Sequence, residues 1–196
     1  MTSVREQLAR AFYETHSFKW DPEKGFKLAS GQTSPFYVDC RALMAYPGAR
    51  RLVAQLAHET LVTIELNCLG GLEIGAISIA TAISDYAFVA NPRRDWRTFV
   101  VRKQAKDHGL GKLIEGAVRP GDRAVIVDDV LTSGGSLIKA ITAAKQAELT
   151  VTHALVIVDR KEQEGRAKVE QEGVACLSLL TIDDLMRIQR ATAAAR

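Results

Sequence analysis

The sequence has 196 residues, 47% of them apolar and 25% charged, and 26 Lys and Arg against 23 Asp and Glu give a formal net charge of +3. This length predicts a single domain over residues 1–196, and so small a net charge does not by itself indicate a nucleic-acid or membrane partner. With no membrane-length apolar stretch, no signal-peptide core and three widely spaced cysteines, Cys40, Cys68 and Cys176, we expect a cytoplasmic protein with reduced thiols.

The first 45 residues predict a helix followed by a small hairpin. Val4, Leu8 and Phe12 recur at helical spacing, which indicates an amphipathic helix over about the first fifteen residues. Between Phe26 and Arg41 two alternating apolar segments flank Ser30-Gly31, a turn signal, and this pattern is typical of a β-hairpin.

The rest of the chain alternates apolar runs with helical patterns. Strands are predicted at 65–72, 97–103, 123–129, 151–159 and 175–180, and helices at about 47–61, 74–90, 134–148, 161–171 and 181–190. Continuous β-branched runs suit strands that are covered on both faces. We therefore predict an α/β fold with an open, mainly parallel sheet flanked by helices. Residues 1–45 form a small N-terminal hood in this prediction, residues 46–190 form the core, and 191–196 form a frayed tail.

The most informative segment for function is Val125 to Ser136, where an apolar strand runs into two carboxylates and then into a loop rich in Thr, Ser and Gly. In open α/β sheets ligands bind beyond the carboxyl ends of the strands. Glycines let the backbone approach an anion closely, and helix N-terminal N–H groups and hydroxyls donate to phosphate oxygens. Asp128 and Asp129 would repel each other unless ribose hydroxyls or hydrated Mg²⁺ used their oxygens. A phosphorylated sugar fits both features.

A plain β-to-α turn with a helix cap is the alternative interpretation of this segment. One cap does not need two acids, several hydroxyls and two glycines, so the phosphate cradle is favoured. The sequence contains neither G-x-x-x-x-G-K-[ST] nor G-x-G-x-x-G, which disfavours a Walker A loop and a Rossmann dinucleotide site.

A second segment gathers positive charge at Arg102, Lys103, Lys106 and His108 and is followed by two glycines. Short basic clusters are usually solvated loops. Beside a phosphate cradle, however, cations that close over a pyrophosphate leaving group would stabilise the charge that develops on it and exclude water.

The stretch V-I-V-D-D-V-L-T-S-G-G-S resembles the phosphoribosyl pyrophosphate (PRPP) motif of the type I phosphoribosyltransferases. Residues 101–116 and 26–39 resemble the catalytic loop and the substrate-covering segment of the orotate phosphoribosyltransferase family, and 70–82 matches the family's first βα turn. The resemblance implies the type I fold and transfer of the phosphoribosyl group of PRPP to orotate, giving orotidine 5′-monophosphate and pyrophosphate in pyrimidine biosynthesis. It also implies Mg²⁺, held mainly through PRPP, and a homodimer in which Lys103, Lys106 and His108 reach the neighbouring site.

Carried over residue by residue, the resemblance assigns catalytic roles to Lys106, Asp128 and Asp129. It assigns PRPP binding to Arg102, Lys103, Lys106, His108, Asp128, Asp129, Val130, Leu131, Thr132, Ser133, Gly134, Gly135 and Ser136. Orotate contacts are assigned to Thr132 and Arg160.

Some assignments keep an alternative. Arg160 suits a bidentate grip on a carboxylate, but a surface ion pair with Glu162 or Glu164 is also open. Glu73 fits either a place near the pyrophosphate or Mg²⁺, or a helix cap. Ala29 and Gln32 stand where many family members carry basic residues, which weakens the expected N-terminal substrate contacts.

Two other functions remain compatible with the motifs. A phosphoribosyltransferase for another base would keep the cradle and use Arg160 differently. A regulatory protein that senses PRPP or a nucleotide would keep the cradle without needing the loop cations, all four of which are present here.

Overall fold

The computed structural model describes residues 2–27, 33–104 and 113–194. Its helices are α1 (Val4–Glu14), α2 (Cys40–Ala45), α3 (Pro47–Leu61), α4 (Gly75–Ala90), α5 (Gly135–Gln146), α6 (Gly165–Glu170) and α7 (Ile182–Ala194). Its strands are β1 (Phe18–Trp20), β2 (Phe26–Lys27), β3 (Thr33–Ser34), β4 (Phe36–Val38), β5 (Cys68–Leu72), β6 (Arg97–Val101), β7 (Ile114–Gly116), β8 (Arg123–Leu131), β9 (Thr150–Asp159) and β10 (Ala175–Thr181).

The central sheet has six strands in the order β10-β9-β8-β5-β6-β7. Every neighbouring pair is parallel except β6 and β7, which are antiparallel. Alternate residues of β8 enter different cores: Val125 and Val127 pack with α1, α3, α4 and α7, whereas Ala124 and Ile126 pack with α5. Because a strand's side chains alternate between faces, burial on both sides explains the continuous apolar run. The predicted α/β fold with a mainly parallel, helix-flanked sheet is confirmed.

The hood, residues 1–45, contains two small antiparallel pairs, β1 with β4 and β2 with β3. The second pair confirms the predicted hairpin, although its Ser30-Gly31 turn lies outside the described residues. The first pair was not predicted. Helix α1 docks on the core, where the Tyr13 hydroxyl donates to the carbonyl of Leu185 at 2.6 Å. The hood is therefore tied to the C-terminal helix.

Several predicted boundaries were wrong for local reasons. Helix α6 begins only at Gly165, because Lys161, Gln163 and Glu164 have positive φ and cannot continue a right-handed helix. Helix α7 runs to Ala194 instead of ending near residue 190, as suits an alanine-rich segment. Strands β1 and β7 and helix α2 were missed; α2 starts where the Asp39 side chain accepts a hydrogen bond from the N–H of Ala42.

Strand β8 ends two residues later than predicted. The strand continues past Asp129 to Leu131, so the two carboxylates and Val130 belong to the sheet and the loop begins only at Thr132. Leu131 pairs with Asp159 of β9. The backbone positions of the acids are thus fixed by ladder hydrogen bonds.

No helix in the described part of the chain is long and apolar enough to cross a bilayer.

Candidate active site

Residues 132–136, called the cradle, join the end of β8 to the first turn of α5. It borders a cavity of about 150 Å³ whose lining comprises Asp128 and residues 130–137. No side chain in the described part of the chain caps α5, and the first turn of this helix lines the cavity with N–H groups that make no intrahelical hydrogen bond. Ser133, Gly135 and Ser136 are exposed. Free helix N–H groups beside hydroxyls are suited to holding a phosphate.

Gly134 fixes the shape of this cradle. Its φ of +80° lies in the left-handed region, and a Cβ there would come within 2.9 Å of the carbonyl oxygen of Gly165. Only glycine adopts this conformation without strain while letting the loop pack so closely on the start of α6. The conformation turns the chain from β8 into α5.

The two carboxylates have different environments. Asp128 is 8% exposed and accepts a hydrogen bond from the N–H of Asp129 at 2.9 Å, whereas Asp129 is half-buried and accepts from the N–H of Val130. Burial, followed by the charge of Asp129, raises the pKa of Asp128 to about 7. No Lys, Arg or His in residues 2–27, 33–104 and 113–194 forms an ion pair with either acid. Within the described part of the chain, the charge of the pair is therefore not compensated by a cation.

Asp129 faces the turn that joins β5 to α4. A Cβ on Gly75 would lie 3.2 Å from the Asp129 carboxylate, so this carboxylate sits over the start of α4. The Glu73 carboxylate in the same turn accepts a hydrogen bond from the backbone N–H of Lys103 at 2.7 Å, and no side chain caps α4. Glu73 is therefore not the helix cap that was one of its two interpretations. It joins this turn to the start of the basic segment.

The basic segment is only partly described. Arg102 is about one-third exposed, and its Nη1 lies 3.7 Å from Glu115. Lys103 is exposed and lines, with Arg102, a cavity of about 270 Å³ between β6 and α5. Lys106 and His108 lie outside the described residues, as do Ala29 and Gln32.

Arg160 follows β9 and lies beside the cradle. Its backbone N–H donates to the carbonyl of Leu131 at 3.0 Å, and its side chain is only 6% exposed. The Nη2 atom donates to the Ser34 hydroxyl at 2.7 Å and lies 3.2 Å from the Glu162 carboxylate, whereas the buried Nε has no partner within the described structure. Arg160 thus does pair with Glu162, but not at the surface as the alternative interpretation had it.

Ser34 and Glu162 contact the Arg160 side chain, and the sequence did not reveal either as a candidate site residue. Ser34 is 126 positions from Arg160, and no local spacing signals a contact over that distance.

The cysteines Cys68 and Cys176 are structural residues. Burial raises the pKa of both thiols to about 11, which leaves them unreactive at neutral pH.

The oxygen ligands of Asp128 and Asp129 decide whether this site suits Mg²⁺. The described part of the chain contains no group of three His, Cys, Asp or Glu side chains that could hold a metal ion. The adjacent carboxylates of Asp128 and Asp129 nevertheless offer the oxygen ligands that Mg²⁺ prefers, provided that a substrate supplies the others. The residues fit an ion that is shared with a phosphorylated ligand.

Comparison with known proteins supports the same interpretation. The phosphoribosyl transferase domain family matches residues 45–178. The orotate phosphoribosyltransferase of Aquifex aeolicus is 37% identical over 183 residues, which are 93% of this chain and 97% of that protein.

Solved structures agree. The Mycobacterium tuberculosis H37Rv orotate phosphoribosyltransferase in complex with Fe(III) dicitrate has a TM-score of 0.78 and 30% identity, over 93% of this chain and 99% of that one. The same enzyme in complex with PRPP gives a TM-score of 0.74 at equal identity and coverage. The family resemblance drawn from the motifs is confirmed: this chain belongs to the phosphoribosyltransferase family and, within it, to the orotate phosphoribosyltransferases.

Proposed function

We propose that the protein transfers the 5-phosphoribosyl group of PRPP to N1 of orotate, giving orotidine 5′-monophosphate and pyrophosphate in the synthesis of pyrimidine nucleotides. One observation carries this function: the buried Arg160, whose Nε has no partner among the described residues, donates its backbone N–H to the carbonyl of Leu131, the residue directly before the phosphate cradle. A carboxylated base and a phosphorylated sugar need these two features side by side.

In this proposal residues of the cradle, with Val130 and Leu131, hold the 5′-phosphate and Asp128 and Asp129 accept hydrogen bonds from the ribose hydroxyls. Mg²⁺ bound with PRPP would neutralise charge on the pyrophosphate. The acidic pair has no ion-pair partner among the residues that the structure describes, and this supports the arrangement, since hydroxyl donors or a shared cation would satisfy the two carboxylates. Asp129 beside Gly75 also orients the pair towards the turn before α4.

Arg160 would select the base. Guanidinium groups bind carboxylates through two parallel hydrogen bonds, and the carboxylate is what distinguishes orotate from uracil. Leaving a buried N–H unsatisfied costs on the order of 1–3 kcal/mol, and a bound carboxylate would remove that cost whereas uracil would not. Thr132, half-buried at the start of the cradle, would complete the base contacts.

Catalysis by this site needs no covalent nucleophile. The reaction would pass through an oxocarbenium-like state with inversion at C1, and positioning and electrostatic stabilisation would supply the rate. Lys106 would stabilise the leaving pyrophosphate, assisted by Arg102, Lys103 and His108. This part of the proposal rests on the family resemblance.

We also propose a homodimer in which the basic loop of one subunit serves the site of the other. Large apolar side chains are exposed on and beside α4, namely those of Ile74, Ile77, Phe88 and Val89. Apolar side chains exposed at both ends of one helix are available for burial in an interface, which supports self-association through this helix.

A panel of bases with PRPP tests the function. Orotate should be consumed with release of pyrophosphate, only in the presence of Mg²⁺, and uracil, hypoxanthine and adenine should not react. Turnover of another base would favour a different phosphoribosyltransferase. Tight PRPP binding without any turnover would favour a sensor.

A further inference from the structure

Three side chains from two parts of the chain form a closed hydrogen-bonded network at the proposed base site. Ser34, on β3 of the hood, is 3% exposed and lies 2.7 Å from Nη2 of Arg160. Its hydroxyl also lies 3.2 Å from Oε1 of Glu162, which is 3.2 Å from the same Nη2. The network links the hood to the carboxyl end of β9.

The partners of the Ser34 hydroxyl fix the direction of its proton. The backbone N–H of Phe36 and Nη2 of Arg160 can only donate, so both lone pairs of the hydroxyl are used as acceptors. The Glu162 carboxylate can only accept, so the single hydroxyl proton goes to it. Glu162 therefore orients Ser34 so that an oxygen lone pair faces the guanidinium.

This arrangement divides the Arg160 guanidinium into a held part and a free part. Nη2 is bound by the network, whereas the buried Nε has no partner in the described structure. An arginine side chain is long, and rotamer entropy must be lost before it presents a fixed edge to a ligand. A network that already holds Nη2 means that less of this entropy is lost when the base binds.

We propose that Ser34 and Glu162 are positioning residues for orotate: Ser34 fixes the guanidinium of Arg160, and Glu162 orients Ser34. This inference rests on the proposed function and goes beyond it, because it assigns recognition of the base carboxylate to the joint between hood and core. Neither residue is assigned a contact with the reacting atoms.

Steady-state kinetics with Ser34→Ala and Glu162→Ala test the proposal. Each variant should raise KM for orotate on the order of tenfold, the cost of one hydrogen bond to a charged group, and leave kcat and KM for PRPP within about twofold. Thr33→Ala and Glu164→Ala are matched controls, since both are exposed and neighbour the network in sequence, and neither should change KM for orotate. Thermal unfolding of each variant checks that the fold is retained.

A double-mutant cycle shows whether Ser34 affects orotate binding by positioning Arg160 or only by weakening the packing of the hood. Because Ser34 acts through Arg160, adding Ser34→Ala to Arg160→Ala should change KM for orotate no further. Additive effects would overturn the proposal. So would an unchanged KM in the single variants, a parallel change in KM for PRPP, or a lower KM in Glu162→Ala, which would make Glu162 a competitor of orotate. Lack of orotate turnover by the unmodified protein would instead refute the proposed function.

Discussion

Replacing Asp128 with Asn should stabilise the unliganded protein at neutral pH. Burial and the neighbouring carboxylate raise the pKa of Asp128 from an ordinary 3.8 to about 7. At about 1.4 kcal/mol per pK unit, the charged form costs the folded state up to about 4 kcal/mol above pH 7. Asn has no charge but keeps an oxygen that accepts from the N–H of Asp129. Its amide N–H groups lose water on burial, so we expect a net gain of about 2 kcal/mol.

The pH dependence makes this prediction specific. Because the folded state holds a proton that the unfolded state loses, the contribution of Asp128 to stability falls as pH rises from about 4 to 7. Urea unfolding of both proteins without substrate or Mg²⁺ should therefore give the widest gap at pH 8 and converge near pH 4. An equal or lower stability of Asp128→Asn at pH 8, or a gap that does not change with pH, would refute the reasoning.

Three further predictions concern other parts of the molecule. Asp122→Asn should destabilise the protein by about 1–3 kcal/mol in urea unfolding at pH 7, because Arg97 donates a hydrogen bond to the Asp122 carboxylate at 2.7 Å. The same hydrogen bond lowers the pKa of Asp122, so the stability that the carboxylate contributes is lost as pH falls. Gly134→Ala should weaken PRPP binding in calorimetry at least tenfold, since a Cβ is strained at a φ of +80° and blocked by a carbonyl oxygen; unchanged affinity would contradict the cradle assignment. Lys106→Ala should lower turnover much more than PRPP binding, and unchanged turnover would remove this residue from the mechanism.

The sheet and the cradle were predictable because their signals are local. The apolar run of β8, the two acids and the Thr-Ser-Gly loop are consecutive in the sequence, and the right place for a ligand follows from the general behaviour of parallel strands. What the run could not show is that the strand continues to Leu131. Polar residues at the end of a strand resemble the start of a loop, whereas ladder bonds to β9 keep them in the sheet.

The proposed base site was only half predictable. Arg160 was found through the resemblance to the family, but its burial and its partners depend on how the hood folds back over the core. Ser34 belongs to a two-residue strand, and its contact with Arg160 spans 126 positions. Short strands carry too little periodicity to predict such packing. Tertiary contact, and not local sequence, decides which residues complete this part of the site.

Arg160 and the acidic pair, Asp128 and Asp129, differ in whether a group of opposite charge lies beside them. This difference predicts how the binding of each substrate responds to pH. Arg160 already has the Glu162 carboxylate as a partner, whereas Asp128 and Asp129 have no cation among the described residues. Protonation of Asp128 below about pH 7 removes a negative charge that the ribose hydroxyls or Mg²⁺ would use. We therefore expect kcat/KM for PRPP to fall as pH drops from 8 to 6, and KM for orotate to stay nearly constant.

The ionisation of PRPP itself must be separated from that of Asp128, since the second pKa of a phosphate monoester is about 6. In Asp128→Asn the substrate still titrates but the protein group does not. The pH dependence of kcat/KM for PRPP should consequently be shallower in the variant than in the unmodified protein. The variant's kcat/KM itself should also be lower. Identical profiles in the two proteins would show that Asp128 does not control PRPP capture, and that its raised pKa reflects burial without a functional consequence.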